Sequence, residues 1–160
     1  MRIGIYAGSF DPFHLGHVEI VSKASKLFDT LIIAVCSNIN KKGFLTIEHR
    51  LSLIEKLYLN KNTIFIHPVI YGPLVKFAEK FQAQGDVFLI RGIRNSNDIV
   101  NELSMAEINK DISSGIETIF IPGSSENSKI SSSMVRELIN LKLPIDKYVP
   151  KNVSDYFLRS

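Results

Sequence analysis

Residues 8–17 read Gly8-Ser9-Phe10-Asp11-Pro12-Phe13-His14-Leu15-Gly16-His17. Before them, Arg2-Ile3-Gly4-Ile5-Tyr6-Ala7 has the character of a short buried strand. After them, from about Gly16 to Phe28, the residues Val18, Val21, Ala24, Leu27 and Phe28 recur at helical spacing on one face. The quoted stretch is therefore a strand-to-helix turn, the place where open α/β sheets bind ligands.

The same alternation continues along the chain. Strand-like runs fall at 2–6, 30–36, 63–68, 86–90 and 117–121. Helical patterns fall near 16–28, 46–59, 73–82, 98–112, 131–141 and 152–158. Thr46 is placed to cap the second helix, Pro73 suits the first turn of the third, and Ser131 or Ser132 suits the start of the helix carrying Met134, Val135, Leu138 and Ile139. The strands are rich in Ile, Val, Leu and Phe without strict alternation, which indicates burial on both faces. Strand–helix–strand repetition then predicts an α/β fold: an open, parallel, five-stranded sheet with helices on both faces.

At 160 residues the chain suits one domain, residues 1–160, with a full core. No apolar run approaches the roughly 20 residues that span a bilayer, and the opening residues lack signal-peptide architecture. A cytoplasmic location without membrane contact is the expectation. The single cysteine, Cys36, excludes an internal disulfide and reads as a small core residue. The net charge of +3 allows a polyanionic partner, a solvated basic surface, or a phosphate-rich small ligand.

Segments 8–17, 37–45, 90–94 and 122–133 lie at or beyond the carboxyl ends of strands, and such ends converge on one crevice. They carry Ser9, His14, His17, Lys41, Lys42, Arg91, Arg94, Ser124, Ser125, Ser128 and Ser131–Ser133. Carboxylate pairs and cysteines are missing from this set, whereas imidazole, ammonium, guanidinium and hydroxyl donors abound. Such donors suit phosphate oxygens. His14 and His17 can serve as phosphate donors, as a zinc pair or as helix caps; zinc needs further ligands, and His49 and His67 sit in poorer contexts. Gly8 allows a tight exit from the strand, and a side chain at Gly16 would crowd an incoming phosphate. Neither a G-x-G-x-x-G fingerprint nor a P-loop occurs.

Gly8-Ser9-Phe10-Asp11-Pro12 with His14-Leu15-Gly16-His17 resembles the first signature of the nucleotidyltransferase superfamily, and Ile130-Ser131-Ser132-Ser133 resembles its second. Within that superfamily, Ile90-Arg91-Gly92-Ile93-Arg94 followed by Asp98, Glu102 and Asn109 is similar to the phosphopantetheine adenylyltransferases. So are Lys41-Lys42, Thr46-Ile47-Glu48-His49-Arg50 and Tyr148-Val149-Pro150-Lys151-Asn152-Val153. The resemblance runs from end to end and implies a Rossmann-like sheet of nucleotidyltransferase type.

The resemblance also implies an activity. ATP and 4′-phosphopantetheine would give dephospho-coenzyme A and pyrophosphate, by direct attack of the acceptor phosphate on the α-phosphorus. The attacking group is already an anion, so positioning and charge stabilisation suffice. His17 would stabilise the α-phosphate. Ser9 would hold the attacking phosphate, assisted by Lys41, and Arg91 would bind the acceptor phosphate. Ser9, Phe10, Gly92, Ile93, Arg94 and Glu102 would contact ATP. Asn127, Ser128, Lys129, Ile130, Ser131, Ser132 and Ser133 would cover its triphosphate and ribose. Leu74, Val75 and Asn109 would bind the pantetheine arm. Mg²⁺ would ride on the ATP phosphates without a dedicated protein site. A homohexamer, with coenzyme A as feedback inhibitor, completes the implied picture.

Four simpler readings stand beside these roles. Arg91 and Arg94 could be surface ion-pair partners, Glu102 could pair with a neighbouring lysine, one of Lys41 and Lys42 could be merely solvated, and 124–133 could be a plain loop. The sequence also departs from the family pattern: Ser9 and His14 each stand where Thr is usual, Ala7 where Pro is frequent. Asn127 and Lys129 are polar where an aromatic and an apolar residue are usual. Phe13-His14-Leu15-Gly16-His17 is closer in spelling to nicotinate mononucleotide adenylyltransferases, so that acceptor, or another phosphate monoester, is the alternative. A nucleic-acid-binding module should show a basic stripe with interleaved aromatics, whereas the lysines here are dispersed. A nucleotide sensor without turnover is the third alternative.

Overall fold

The computed structural model describes residues 1–37, 42–70, 72–113 and 115–159. Apolar runs without alternation become β1 (Arg2–Gly8), β2 (Thr30–Cys36), β3 (Ile64–Val69), β4 (Asp86–Ile93) and β5 (Glu117–Pro122). All pair in parallel, in the order β3-β2-β1-β4-β5. The chain builds outward from β1 to β3, then crosses back to place β4 on the other side of β1. The boundary between β1 and β4 is thus the topological switch point, where strand ends part and leave a crevice.

Helices cover both faces, as Ile, Val and Leu on both sides of the strands require. One face packs Tyr6, Leu31, Ile33, Val35 and Ile90 against Ile20, Val21 and Ala24 of α1 (Leu15–Ala24) and Ile54 of α2 (Ile47–Tyr58). The other packs Ile3, Ile5, Ile32, Ala34 and Leu89 against Val75 and Ala78 of α3 (Leu74–Glu79). Each buried Ile, Leu or Val among them contributes about 2 kcal/mol of transfer free energy. Helix α4 (Ser96–Ile112) follows β4. A third cluster joins α5 (Ser132–Asn140) and α6 (Lys151–Leu158) to α2 through Leu53, Ile130, Val135, Val149 and Val153.

The caps fall where the sequence puts them. Thr46 accepts from the His49 amide, and Ser131 rather than Ser132 accepts from the Met134 amide. Pro73 stands at the N-cap, one residue before α3 begins. Three boundaries differ from the sequence reading. Helix α1 stops at Ala24, so Leu27 is exposed and Phe28 turns to pack on Phe88. Helix α3 ends at Glu79, and a separate 3₁₀ turn covers Gln82–Gln84. Strand β4 runs on through Arg91, Gly92 and Ile93, which pair with Phe120, Ile121 and Pro122. The sequence reading ends this strand at 90, but the ladder to β5 continues through Arg91, Gly92 and Ile93.

Candidate active site

The Gly8–His17 turn is built by local sterics. Phe10 adopts a φ of +50°, and its ring folds back over Gly8, where a Cβ would meet Phe10 Cε1 at 2.9 Å. Gly8 is therefore a seat for Phe10. The Asp11 carboxylate is buried and accepts from the Phe44 and Leu45 amides at 2.7 and 2.8 Å. Buried Arg50 donates to the Ser9 and Cys36 carbonyls at 2.7 and 3.0 Å, tying the ends of β1 and β2 together.

His14 is the N-cap of α1 and His17 its third residue. Their rings stack with centroids 3.6 Å apart. The His14 amide donates to His17 Nδ1 at 3.2 Å. Nδ1 is thus an acceptor, and the neutral His17 ring carries its proton on Nε2. Phe10 and Phe13 brace the same ring, with centroids 4.9 and 5.1 Å away. Burial, then His14, then Arg94 push the His17 pKa well below its usual value. Burial and the Arg94 charge hold His14 at about 4. Both imidazoles are neutral at pH 7. Gly16 serves this pair: a Cβ there would lie 3.0 Å from His14 Cε1 and 3.1 Å from its Nδ1. The residue it would crowd within the fold is His14, and Gly16 also lines the polar cavity.

The second signature closes over the first. Ser132 donates to the Pro12 carbonyl at 3.0 Å, and Arg136 to the Asp11 carbonyl at 2.7 Å and to Ser133 Oγ at 3.0 Å. The N-terminus of α5 therefore faces His17 across a cavity of about 340 Å³ whose lining includes Ser9, His17, Arg91, Arg94 and Ser131–Ser133. A second cavity of about 420 Å³ includes Leu74, Leu89, Met105, Ile108, Asn109 and Ile112 in its lining. The two share Ala7, Ser9, Arg91 and Glu102. A polar chamber and a mostly apolar one thus meet at a hydroxyl and a guanidinium.

Arg91 reaches this junction from within β4. It forms an ion pair with Glu102 of α4 at 2.6 Å, both side chains partly exposed, and lies 3.4 Å from the Ala7 carbonyl. The partner of Glu102 is thus an arginine rather than a lysine. Arg94 donates to the Ile130 carbonyl at 3.1 Å and lies 3.5 Å from Asp98. Gly92 lines the polar cavity, and a Cβ there would also meet the Ile20 side chain at 3.1 Å.

Several expected residues stand elsewhere. Phe10 is buried beneath His17, behind the cavity wall. Val75 faces the core, because the phase of α3 turns Leu74, not Val75, to the second cavity. Ile130 is buried against α5 and α6, offering only its carbonyl to Arg94. Neither Ile93, Ser128 nor exposed Lys129 lines either cavity. Ser128 donates to the Ser125 carbonyl instead. Lys41 lies outside the described residues. Glu102, expected at the site, lines the polar cavity, and Glu19 joins it there; both are engaged in hydrogen bonds or ion pairs.

Tyr6, Glu19 and Arg136 line the polar cavity without being singled out by the sequence. Arg136 had a findable signal, a cation three residues after Ser133 on a first helical turn. Tyr6 and Glu19 had none, since they read as ordinary strand and helix positions.

Residues 5–138 match the cytidylyltransferase-like family. The chain is 39% identical over 153 residues to a phosphopantetheine adenylyltransferase of Clostridium perfringens, covering 96% of this chain and 91% of that one. It is 35% identical to the phosphopantetheine adenylyltransferase of Kocuria rhizophila, covering 96% of both. Two solved structures share the fold. One is a nicotinate-nucleotide adenylyltransferase from Vibrio parahaemolyticus, with a TM-score of 0.74, 19% identity, and 99% and 92% of the two chains covered. The other is a Plasmodium falciparum nicotinic acid mononucleotide adenylyltransferase, with a TM-score of 0.73, 20% identity, and 99% and 95% covered. The chain therefore belongs to the cytidylyltransferase-like nucleotidyltransferases. Within that class it is a member of the phosphopantetheine adenylyltransferase family.

Proposed function

We propose that this chain transfers the adenylyl group of ATP to 4′-phosphopantetheine, forming dephospho-coenzyme A and pyrophosphate as a step of coenzyme A biosynthesis. The observation that carries the reading is the junction of a polar and a mostly apolar cavity at Ser9 and Arg91, in a chain of this family. A triphosphate needs the first kind of chamber and a long amide-linked arm the second.

In the proposed reaction an acceptor phosphate oxygen attacks the α-phosphorus of ATP. The new P–O bond forms as the bond to the β-phosphate oxygen breaks, and pyrophosphate leaves with that electron pair. No base is needed, and no enzyme-bound adenylate forms. The neutral His17 donates from Nε2 to the α-phosphoryl oxygens as charge moves onto them, a donor fixed in tautomer and orientation before substrate arrives. Ser9 and Arg91 receive the acceptor phosphate, Lys41 assists it, and Leu74 and Asn109 receive the arm. Gly92, Arg94 and Glu102 receive ATP, and Asn127 and Ser131–Ser133 cover its phosphates with hydroxyls and helix-start amides. Arg136, lining the same chamber, adds a cation to this set.

Mg²⁺ fits this site only as part of the ATP complex. Among the described residues no group of three His, Cys, Asp or Glu gathers. Glu19 is held by Lys23, Ser124 and Asn127, and Glu102 by Arg91. The ion would neutralise phosphate charge through phosphate oxygens and water, and no protein ligand to it is proposed.

A nicotinate mononucleotide acceptor is the second reading, favoured by His14 at the N-cap. Against it, the described residues lining the second cavity include no aromatic ring on which a pyridine could stack. Incubation with ATP, Mg²⁺ and an equimolar mixture of both acceptors tests the choice. Mass spectrometry should find dephospho-coenzyme A alone; nicotinate adenine dinucleotide would replace the reading.

The same family reading carries a homohexamer, coenzyme A feedback and a cytoplasmic location. Exposed Val100 and Leu103, on α4 and outside both cavities, support burial against another copy. No described helix is long and apolar enough to cross a membrane.

A further inference from the structure

Helix α1 carries two groups that face the nucleotide cavity, and only His17 has a role so far. Glu19, two residues on, accepts four hydrogen bonds from donors far along the chain or one turn away. Its Oε1 accepts from the Ser124 amide at 2.7 Å, and Lys23 Nζ lies 2.7 Å from the same oxygen. Its Oε2 accepts from Ser124 Oγ at 3.0 Å and from Asn127 Nδ2 at 2.8 Å. Lys23 also donates to the Pro122 carbonyl at 2.6 Å. The Asn127 carbonyl then accepts from the Ile130 amide at 3.1 Å, one residue before the Ser131 cap of α5. One hydrogen of the Asn127 side-chain amide is thus spent on Glu19, which fixes where this residue sits in the cavity wall.

We propose that Glu19 is a positioning residue for ATP: it clamps the 122–127 segment to α1 and so sets the nucleotide cover and the α5 N-terminus against His17. The proposal rests on the adenylyltransferase reading and adds to it a residue that never touches the reacting atoms. Partial burial raises the Glu19 pKa, but hydrogen bonds from Lys23, Asn127 and Ser124 outweigh it and hold the carboxyl at about 2. The clamp therefore stays charged wherever the protein is folded, which strengthens each of its hydrogen bonds. The alternative, a purely structural ion pair, predicts loss of stability without any preference between substrates.

The test separates the two. Calorimetry measures ATP binding to wild-type protein, Glu19→Ala, Ser124→Ala and the double variant, without any acceptor present. Glu19→Ala should weaken ATP binding about tenfold, with Glu19→Gln recovering part of the loss. The double variant should bind ATP about as weakly as Glu19→Ala alone, because both changes break one connection. In turnover, KM for ATP should rise while KM for 4′-phosphopantetheine stays within about twofold. Should Glu19→Ala fail to fold, Ser124→Ala, which loses the Oγ bond but keeps the amide bond to Glu19, should weaken ATP binding about two- to threefold, again without raising KM for the acceptor. Unchanged ATP affinity in a folded variant, additive effects, or equal losses for both substrates would overturn the clamp. The ATP measurement is independent of the acceptor, so a wrong acceptor assignment leaves its result standing.

Discussion

The imidazoles of His14 and His17 stack with centroids 3.6 Å apart and planes 21° from parallel. Two cations could not share that geometry in a half-dry pocket, and both rings are held neutral. The stack converts the histidine signature from a pair of charges into a pair of oriented dipoles, with the His17 tautomer set by the His14 amide.

A pH dependence of stability follows. His14 has a folded pKa lowered from 6.5 to about 4, so between those values the unfolded chain takes a proton that the folded one refuses. Its contribution is fully present above about pH 6.5 and is lost as pH falls toward 4, by about 3 kcal/mol over the window. Urea unfolding at pH 7.5 and 5.0 should show the midpoint falling at the lower pH, and His14→Asn should remove much of that fall. A midpoint that does not move between the two would contradict buried, neutral imidazoles.

In the proposed reaction His17 is the donor to the reacting phosphoryl group. His17→Ala should lower kcat by a factor of about 10² to 10³, the usual loss for one preorganised oxyanion donor. ATP affinity should change by no more than a few-fold. Stopped assays of pyrophosphate release with parallel calorimetry check both numbers, and a large loss of ATP binding with kcat intact would assign His17 to ground-state binding.

Arg91 is fixed by two contacts that a lysine cannot copy: its Nε to Glu102 and an Nη to the Ala7 carbonyl. Arg91→Lys should therefore behave much like Arg91→Ala, raising KM for the acceptor at least about tenfold. Initial rates across an acceptor series decide this; full activity in Arg91→Lys would show that charge alone matters there.

Gly16→Ala places a methyl about 3 Å from the buried His14 ring. The ring must shift by a few tenths of an ångström and carry His17 with it. A stability loss of about 1 kcal/mol and a fall in kcat of about tenfold are expected. Thermal unfolding and turnover of the one variant test both, and a fully active Gly16→Ala would dissociate the stack from catalysis.

The sheet was legible because its strands are uninterrupted apolar runs and its helices carry Thr46 and Ser131 caps. Boundaries were blurred where polar residues keep pairing, as at Arg91 and Gly92, or where apolar residues leave a helix, as at Leu27. The site was legible where motif residues are contiguous, from Ser9 to His17 and from Ser131 to Ser133. It was not legible where function depends on convergence. Glu19 and Ser124 lie 105 residues apart, and nothing local to either announces the other. Side-chain direction was equally hidden, since Leu74 and Val75 are neighbours in sequence and face a cavity and the core respectively.

The most direct measurement is pyrophosphate release from ATP and Mg²⁺ by the wild-type protein, with and without 4′-phosphopantetheine. The account predicts release only when the acceptor is present, matched one to one by dephospho-coenzyme A. Release without acceptor, or none with it, would contradict direct adenylyl transfer to this substrate.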